Sequence, residues 1–314
     1  MAIVMRLAVL CASAMLAIAA PMPAHAAIGV VDDAGARIEL AAPATRIVTL
    51  APHATELVYV AGAGARIVGV VAGTDYPAAA RSLPVVGDAN ALDLERIAML
   101  SPDLIVTWPW TTPAQVSSLR ARGIAVFDAN ARTIVGIADD IEKIGRLTET
   151  SDVATPAANA FRLHLAKLKA EHRTGAPLRV FYEVSDEPLF TLGGKHLVSQ
   201  ALTLCGGENV FASLSIPAPQ VGIEAVLAAN PQVIIAGTND ARRPAWLDAW
   251  TRWPAIDAVR HRTLYAVDAN LLHRPGPRFI DGVEQLCATL ANARRAIASN
   301  AYDPRAAAHT ASTR

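Results

Sequence analysis

The chain has 314 residues, 53% of them hydrophobic and 18% charged, with 28 Lys+Arg set against 28 Asp+Glu. That length suits two domains of ordinary size, and the composition is that of a folded globular chain. Equal numbers of basic and acidic groups leave no basic field, which argues against nucleic acid or another polyanion as the partner.

Residues 1–26 carry one Arg, an Ala-rich apolar stretch too short for a convincing membrane span, and the ending Ala24-His25-Ala26. This pattern predicts a secretory signal peptide cleaved after Ala26. Cys11 follows Leu10 deep in the apolar part, where a lipoprotein signal would place a small residue before the cysteine, so it is read as removed with the signal. Cleavage also removes Arg6 and takes the 28 basic residues to 27, against 28 acidic ones. Two cysteines remain, Cys205 and Cys287. In an oxidising compartment an even pair favours a disulfide, the alternative being two small buried side chains.

Arg46 to Leu50 (RIVTL) predicts a buried strand, which Ala51-Pro52-His53 turns into the helix ATELVYVAGAG, closed by Gly62 and Gly64. Ile67 to Val71 is the next strand and ends in the loop Gly73-Thr74-Asp75-Tyr76-Pro77. Residues 94–106, LERIAMLSPDLIV, combine a short amphipathic helix, a break before Pro102 and a buried strand. GIAVFDA at 123–129 and a helix at about 133–147 follow, and this strand–helix alternation predicts a parallel, doubly wound α/β sheet.

Thr155 to Arg173 predicts a long helix with Pro156 in its first turn and Ala157, Phe161, Leu165 and Leu168 on one face. At 1.5 Å per residue it is roughly 28 Å long, a length suited to joining two lobes. Beyond Gly175 the alternation resumes: LRVFYEV at 178–184, HLVSQALTLCGG at 196–207, IEAVLAANPQVII at 223–235, LYAV at 264–267 and a last helix at about 278–297. The stretch 223–235 echoes 94–106, matching Glu224 to Glu95 and Pro231 to Pro102 before an apolar run. The predicted organisation is a signal peptide over 1–26, an α/β lobe over 27–150, a connecting helix over 151–174, a second α/β lobe over 175–300, and a disordered tail over 301–314.

Two lobes on one helix enclose a cleft, and α/β sheets hold ligands at the carboxyl ends of their strands. His53, Tyr76 and Trp108 follow strands in the first half, with Trp110 read as a core residue beside Trp108. In the second half Ser185 to Phe190 follow LRVFYEV, and Asp268, Asn270, His273 and Arg274 follow LYAV. This aromatic, amide-rich set with one Arg suits a large, flat, amphipathic ligand. No nucleophile-elbow, zincin or phosphate-loop motif occurs, and Gly193-Gly194-Lys195-His196 is too short to be one, so no catalytic residue, resident metal or cofactor is assigned. The 8 histidines lack the spacing of a zinc site. Trp246, Trp250 and Trp253 fall at helical core spacing.

RIVTLAPHATEL, TDYP at 74–77, LERI with PDLIVTW, CGGENVF at 205–211, PAPQVGIEAVL at 217–227, and RPGPRF with QLCATL together resemble a family. It is that of the periplasmic substrate-binding proteins of ABC importers for metal chelates, and the resemblance runs from about Arg46 to Ala293. TDYP and LERI are shared with haem and siderophore binders, whereas CGGENVF, PQV and QLC are similar to the cobalamin (vitamin B12) branch. The resemblance implies a class III fold: two Rossmann-like lobes with parallel-rich sheets joined by one long α-helix. It implies a monomer without enzymatic activity that captures cobalamin or a related corrinoid in the periplasm and hands it to an inner-membrane ABC importer.

By position, the resemblance makes Tyr76, Trp108, Phe190, Asn270 and Arg274 the lining of the corrinoid cleft. It pairs Cys205 with Cys287 in a disulfide and docks Glu95 and Glu224 onto arginines of a two-fold symmetric permease. Ala89 and Ala218 stand where the cobalamin branch has tryptophans, and Asn270 where it has an acidic residue. These departures keep haem and cobinamide as alternative cargoes, and the wider superfamily adds an iron-siderophore; haem would be held by Tyr76 as an axial phenolate with His53 opposite. An exported hydrolase on the same scaffold would lack its nucleophile motif.

Overall fold

The computed structural model describes residues 27–301 apart from 89–90, 109–110, 173–174 and 240–242. The predicted signal peptide, Ala89, Trp110 and the tail from 302 therefore lie outside the described residues. The chain opens on a hairpin that the sequence reading leaves unassigned: β1 (Ile28–Val31) pairs antiparallel with β2 (Arg37–Leu40). Its turn is made by Gly35 at φ 82° and by the Asp32 carboxylate, which accepts from the Ala36 N–H at 2.7 Å.

The first α/β lobe continues with β3 (Ile47–Thr49), α1 (Pro52–Val60), β4 (Ile67–Val70), α2 (Leu94–Met99), β5 (Leu104–Thr107), α3 (Pro113–Arg120), β6 (Ala125–Asp128) and α4 (Ile134–Leu147). The sheet runs β4-β3-β5-β6 with every pairing parallel. All of β3 and β5 is buried. Helices cover both faces of such a sheet, which is why these strands read as unbroken apolar runs without alternation.

The long helix α5 (Ser151–Glu171) starts at the first residue of the expected connecting segment, a turn before Thr155, where the amphipathic pattern begins, so Pro156 lies inside it and not in its first turn. The early start has a cause in the preceding reversal. Glu149 takes φ 52°, and the Thr150 hydroxyl donates to the Ala61 carbonyl at 2.6 Å while its own carbonyl accepts from the Ala154 N–H. Ala154, Ala158, Phe161, Leu165 and Leu168 are buried along α5. A Cβ on Gly145 of α4 would sit 2.3 Å from that of Ala154, so only glycine allows α4 and α5 to approach this closely.

The second lobe contains β7 (Leu178–Asp186), β8 (Leu189–Thr191), α6 (Leu197–Leu204), β9 (Gly207–Asn209), α7 (Ile223–Ala229), β10 (Val233–Thr238), α8 (Ala245–Asp248), α9 (Asp257–Arg260), β11 (Leu264–Asp268), α10 (Ala269–Leu272) and α11 (Phe279–Ala301). Its sheet runs β11-β10-β7-β8, with β9 beside the first residues of β7. Only the short β8 is antiparallel to its neighbour, so this sheet too is parallel-rich. Cys205, at the end of α6, is bonded to Cys287 of α11 with a Cα–Cα distance of 4.7 Å. Trp246 and Trp250 fall on α8 and on a separate 3-10 turn over Ala249–Arg252, so the three tryptophans do not share one continuous helix. They still meet in the core, where Trp250 is buried against Phe181 and Leu247, with Trp246 and Trp253 packed alongside.

The sequence echo is a structural repeat. Ile97 in α2 and Val226 in α7 are fully buried at matching positions. Each helix leads into a residue in the left-handed region, Ser101 at φ 46° and Asn230 at φ 42°, immediately before Pro102 and Pro231. Proline disfavours the right-handed helical conformation in the residue before it, and the left-handed turn ends the helix so that β5 or β10 can begin. Glu95 and Glu224 sit exposed in the first turns of these helices and, among the described residues, neither forms an ion pair. No helix among the described residues is long and apolar enough to cross a membrane.

Candidate functional site

Pro52 opens α1 directly after β3, and its fixed φ makes the strand-to-helix turn that places His53 and Glu56 at the carboxyl end of the first sheet. His53 is 1% exposed, with its ring edge-on to Trp108 at 5.3 Å between centroids and its Nε2 3.4 Å from the Ala129 carbonyl. Burial pushes this imidazole down to about 4; the Ala129 bond opposes that and the Arg274 charge reinforces it. At neutral pH His53 is therefore an uncharged support beneath Trp108, and its ring is not on an open face. Trp108 follows β5 and is itself only partly buried. Tyr76, in the loop after β4, is 46% exposed.

The second lobe contributes the segment after β11. Asp268 caps α10 by accepting from the Asn270 N–H at 2.8 Å, and the Asn270 amide donates to the Asn239 carbonyl after β10. Arg274 then crosses to the first lobe and donates to Asp75 at 2.6 Å. Burial works to raise the Asp75 carboxyl, but the hydrogen bond and charge of Arg274, with help from Arg278, outweigh it and hold the group below its ordinary value. Arg278 donates to both oxygens of Glu56, at 2.9 and 2.7 Å, and its guanidinium lies 4.1 Å from the Tyr76 ring centroid. Phe190 lies on β8, partly buried and bridged to Gln220.

Next to Arg274, the fully buried Tyr182 and the half-buried His273 and His196 form a polar group. The Tyr182 hydroxyl on β7 is 3.1 Å from the His273 Nε2, and the His196 ring lies 6.5 Å from that of His273. His196 accepts from the Val198 N–H through Nδ1 at 3.1 Å and so carries its proton on Nε2. Burial pushes both imidazoles down to about 4; His273 adds to the effect on His196, and Asp268 opposes it on His273. Among the described residues no three His, Cys, Asp or Glu side chains converge so as to hold a metal ion.

Of the residues singled out in the sequence, His53, Tyr76, Trp108 and Arg274 come together where the carboxyl ends of the two sheets face each other. Phe190 in the middle of β8 and Asn270 in α10, just after β11, belong to the second lobe. The sequence reading missed Glu56, Asp75 and Arg278. Glu56 was visible as a carboxylate within an otherwise apolar helical face, and Arg278 as the second arginine of RPGPR. A groove of about 690 Å³ lies elsewhere, between β2 and β6, and is lined by none of these residues. The facing lobe ends offer aromatic surfaces and guanidinium donors backed by neutral imidazoles, a chemistry of capture by stacking and hydrogen bonding.

Residues 47–271 match the periplasmic binding protein family. The vitamin B12-binding protein of Vibrio cholerae is 38% identical over 255 residues, covering 81% of this chain and 91% of that protein. The vitamin B12-binding protein of Yersinia pestis is 34% identical over 250 residues, covering 79% and 87%. Among solved structures, the periplasmic vitamin B12 binding protein of Vibrio cholerae superposes with a TM-score of 0.74 at 38% identity, over 80% of this chain and 98% of that one. The periplasmic haem-binding protein BhuT, with two haems bound, has a TM-score of 0.71 at 21% identity over 80% and 99%, a likeness of fold alone. With a family match over most of its length and relatives above a third identical, the chain belongs to the periplasmic binding proteins.

Proposed function

We propose that this protein captures cobalamin or a related corrinoid between its two lobes and delivers it to an inner-membrane ABC importer, without chemistry of its own. The observation that carries the reading is the 38% identity to the Vibrio cholerae vitamin B12-binding protein across 91% of that protein's length. The site supports it: Tyr76 and Trp108 provide apolar ring surfaces, and Arg274 provides donors for the amide periphery of a corrinoid. In the haem alternative Tyr76 would serve as the axial phenolate, without the help of His53, which is buried against Trp108. In this reading α5 connects the two lobes, and its 21 residues would oppose hinge bending better than a loop.

Delivery rests on the structural repeat. Glu95 and Glu224 occupy equivalent first-turn positions on the two lobes, so a single chain offers one carboxylate to each subunit of a two-fold symmetric permease. The signal peptide and periplasmic location belong to the same proposal, as does a monomeric state. Equilibrium dialysis of residues 27–314 against cyanocobalamin tests capture: retention of one equivalent is expected, and no retention overturns the reading.

A further inference from the structure

The two groups assigned to ligand capture from opposite lobes, Tyr76 and Arg274, are both tied to one buried carboxylate. Glu56 is 2% exposed on α1. Its oxygens accept the fork of Arg278, at 2.9 and 2.7 Å, and its Oε1 lies 3.8 Å from Nη1 of Arg274. Arg278 in turn covers Tyr76 at 4.1 Å, and Arg274 reaches Asp75, the residue before Tyr76, at 2.6 Å. The second-lobe loop can come this close because Gly276 has no side chain: a Cβ there would stand 3.1 Å from His53 Cβ and 3.6 Å from Glu56 Oε2. A two-point fork fixes the guanidinium plane as well as its position, and that plane sets where the Tyr76 ring can lie.

We propose that Glu56 is a positioning residue for ligand capture, holding Tyr76 through Arg278 and Arg274 by its charge, so that both stand in place before the ligand arrives. The inference rests on the cleft assignment of Tyr76 and Arg274 in the proposed function. Groups fixed in advance lose less freedom on binding, and affinity gains accordingly. A residue that only stabilised the fold would change affinity equally whether or not Tyr76 and Arg274 were present.

The test is a mutant cycle on residues 27–314, with cyanocobalamin affinity measured by calorimetry and backbone amide exchange measured in the ligand-free protein. Glu56→Gln is expected to weaken binding about tenfold in the otherwise native chain, and less than about twofold when Tyr76→Ala and Arg274→Ala are already present. It is also expected to speed amide exchange in residues 74–79 and 273–279 together. Equal weakening in both backgrounds, or unchanged exchange in those two segments, would overturn the proposal. If the native chain takes up haemin and not cyanocobalamin, the corrinoid reading falls, while the exchange comparison, which needs no ligand, still decides the role of Glu56. Should Glu56→Gln fail to fold, Arg278→Lys keeps the charge but loses the fork, and the same outcomes apply to it.

Discussion

Replacing Glu183 by glutamine should raise stability more and more as pH increases. Glu183 lies on β7, is 1% exposed, and accepts a 2.8 Å hydrogen bond from the Trp250 indole. Burial pushes its carboxyl from the ordinary 4.5 up to about 8; the indole bond opposes this and the charge of Asp186 adds to it. Below about 4.5 the folded and unfolded chains both hold the proton, whereas between 4.5 and 8 only the folded chain does. The native chain is therefore most stable relative to Glu183→Gln at acidic pH, and it loses ground steadily until the pH passes about 8. The window spans roughly 3.5 pH units at ~1.4 kcal/mol each, an upper bound of about 5 kcal/mol. Urea unfolding of both proteins at about pH 5, 7 and 9 reads the difference directly, and other titrating groups cancel in the comparison. Stability profiles that stay parallel across this range would refute the reasoning.

Replacing both Cys205 and Cys287 with serine opens a link between residues 82 apart, and the chain-entropy model gives a loss of about 4–5 kcal/mol, measurable as a lower urea midpoint that matches the reduced native chain. Tyr76→Ala and Arg274→Ala should each weaken corrinoid binding about tenfold while leaving the unfolding midpoint nearly unchanged; full affinity in both variants would remove them from the cleft. Glu95→Ala combined with Glu224→Ala should leave corrinoid affinity within about twofold in calorimetry, because both side chains are exposed, while lowering ligand uptake into permease-containing vesicles. A loss of affinity in that variant would contradict the docking role.

What could be read from the chain was what repeats at short range. The runs at 104–107 and 233–238 are apolar because both faces of their sheets are covered, so their strands were visible without any partner. The proline-anchored breaks at Ser101 and Asn230 were equally local, and they disclosed the duplication. The first turn of α5 has no local apolar pattern: Pro156 is tolerated inside a helix whose N-terminus is fixed by Thr150 and Ala61, residues far apart in sequence. The β1–β2 hairpin is marked locally only by its Asp-Asp-Ala-Gly turn, because its strands are four residues each and mostly exposed on one face.

In the site, the residues immediately after strands were legible, since topology alone brings them to one end of the sheet. The bond from Arg278 to Glu56 spans 222 positions and joins two lobes, and no local pattern encodes it. Nor could the sequence show that His53 is buried. It stands one residue into a helix after a turn, a place that loops commonly expose, and only the packing of Trp108 and Ala129 against it closes the site.

Calorimetric titration of residues 27–314 with cyanocobalamin, cobinamide and haemin side by side tests the central claim most directly. Saturable one-to-one binding of a corrinoid, with haemin weak, is the predicted result, and the ratio of the two corrinoids would show which form the site prefers. Tight binding of haemin alone would contradict the account, leaving the family membership intact and the cargo wrongly assigned.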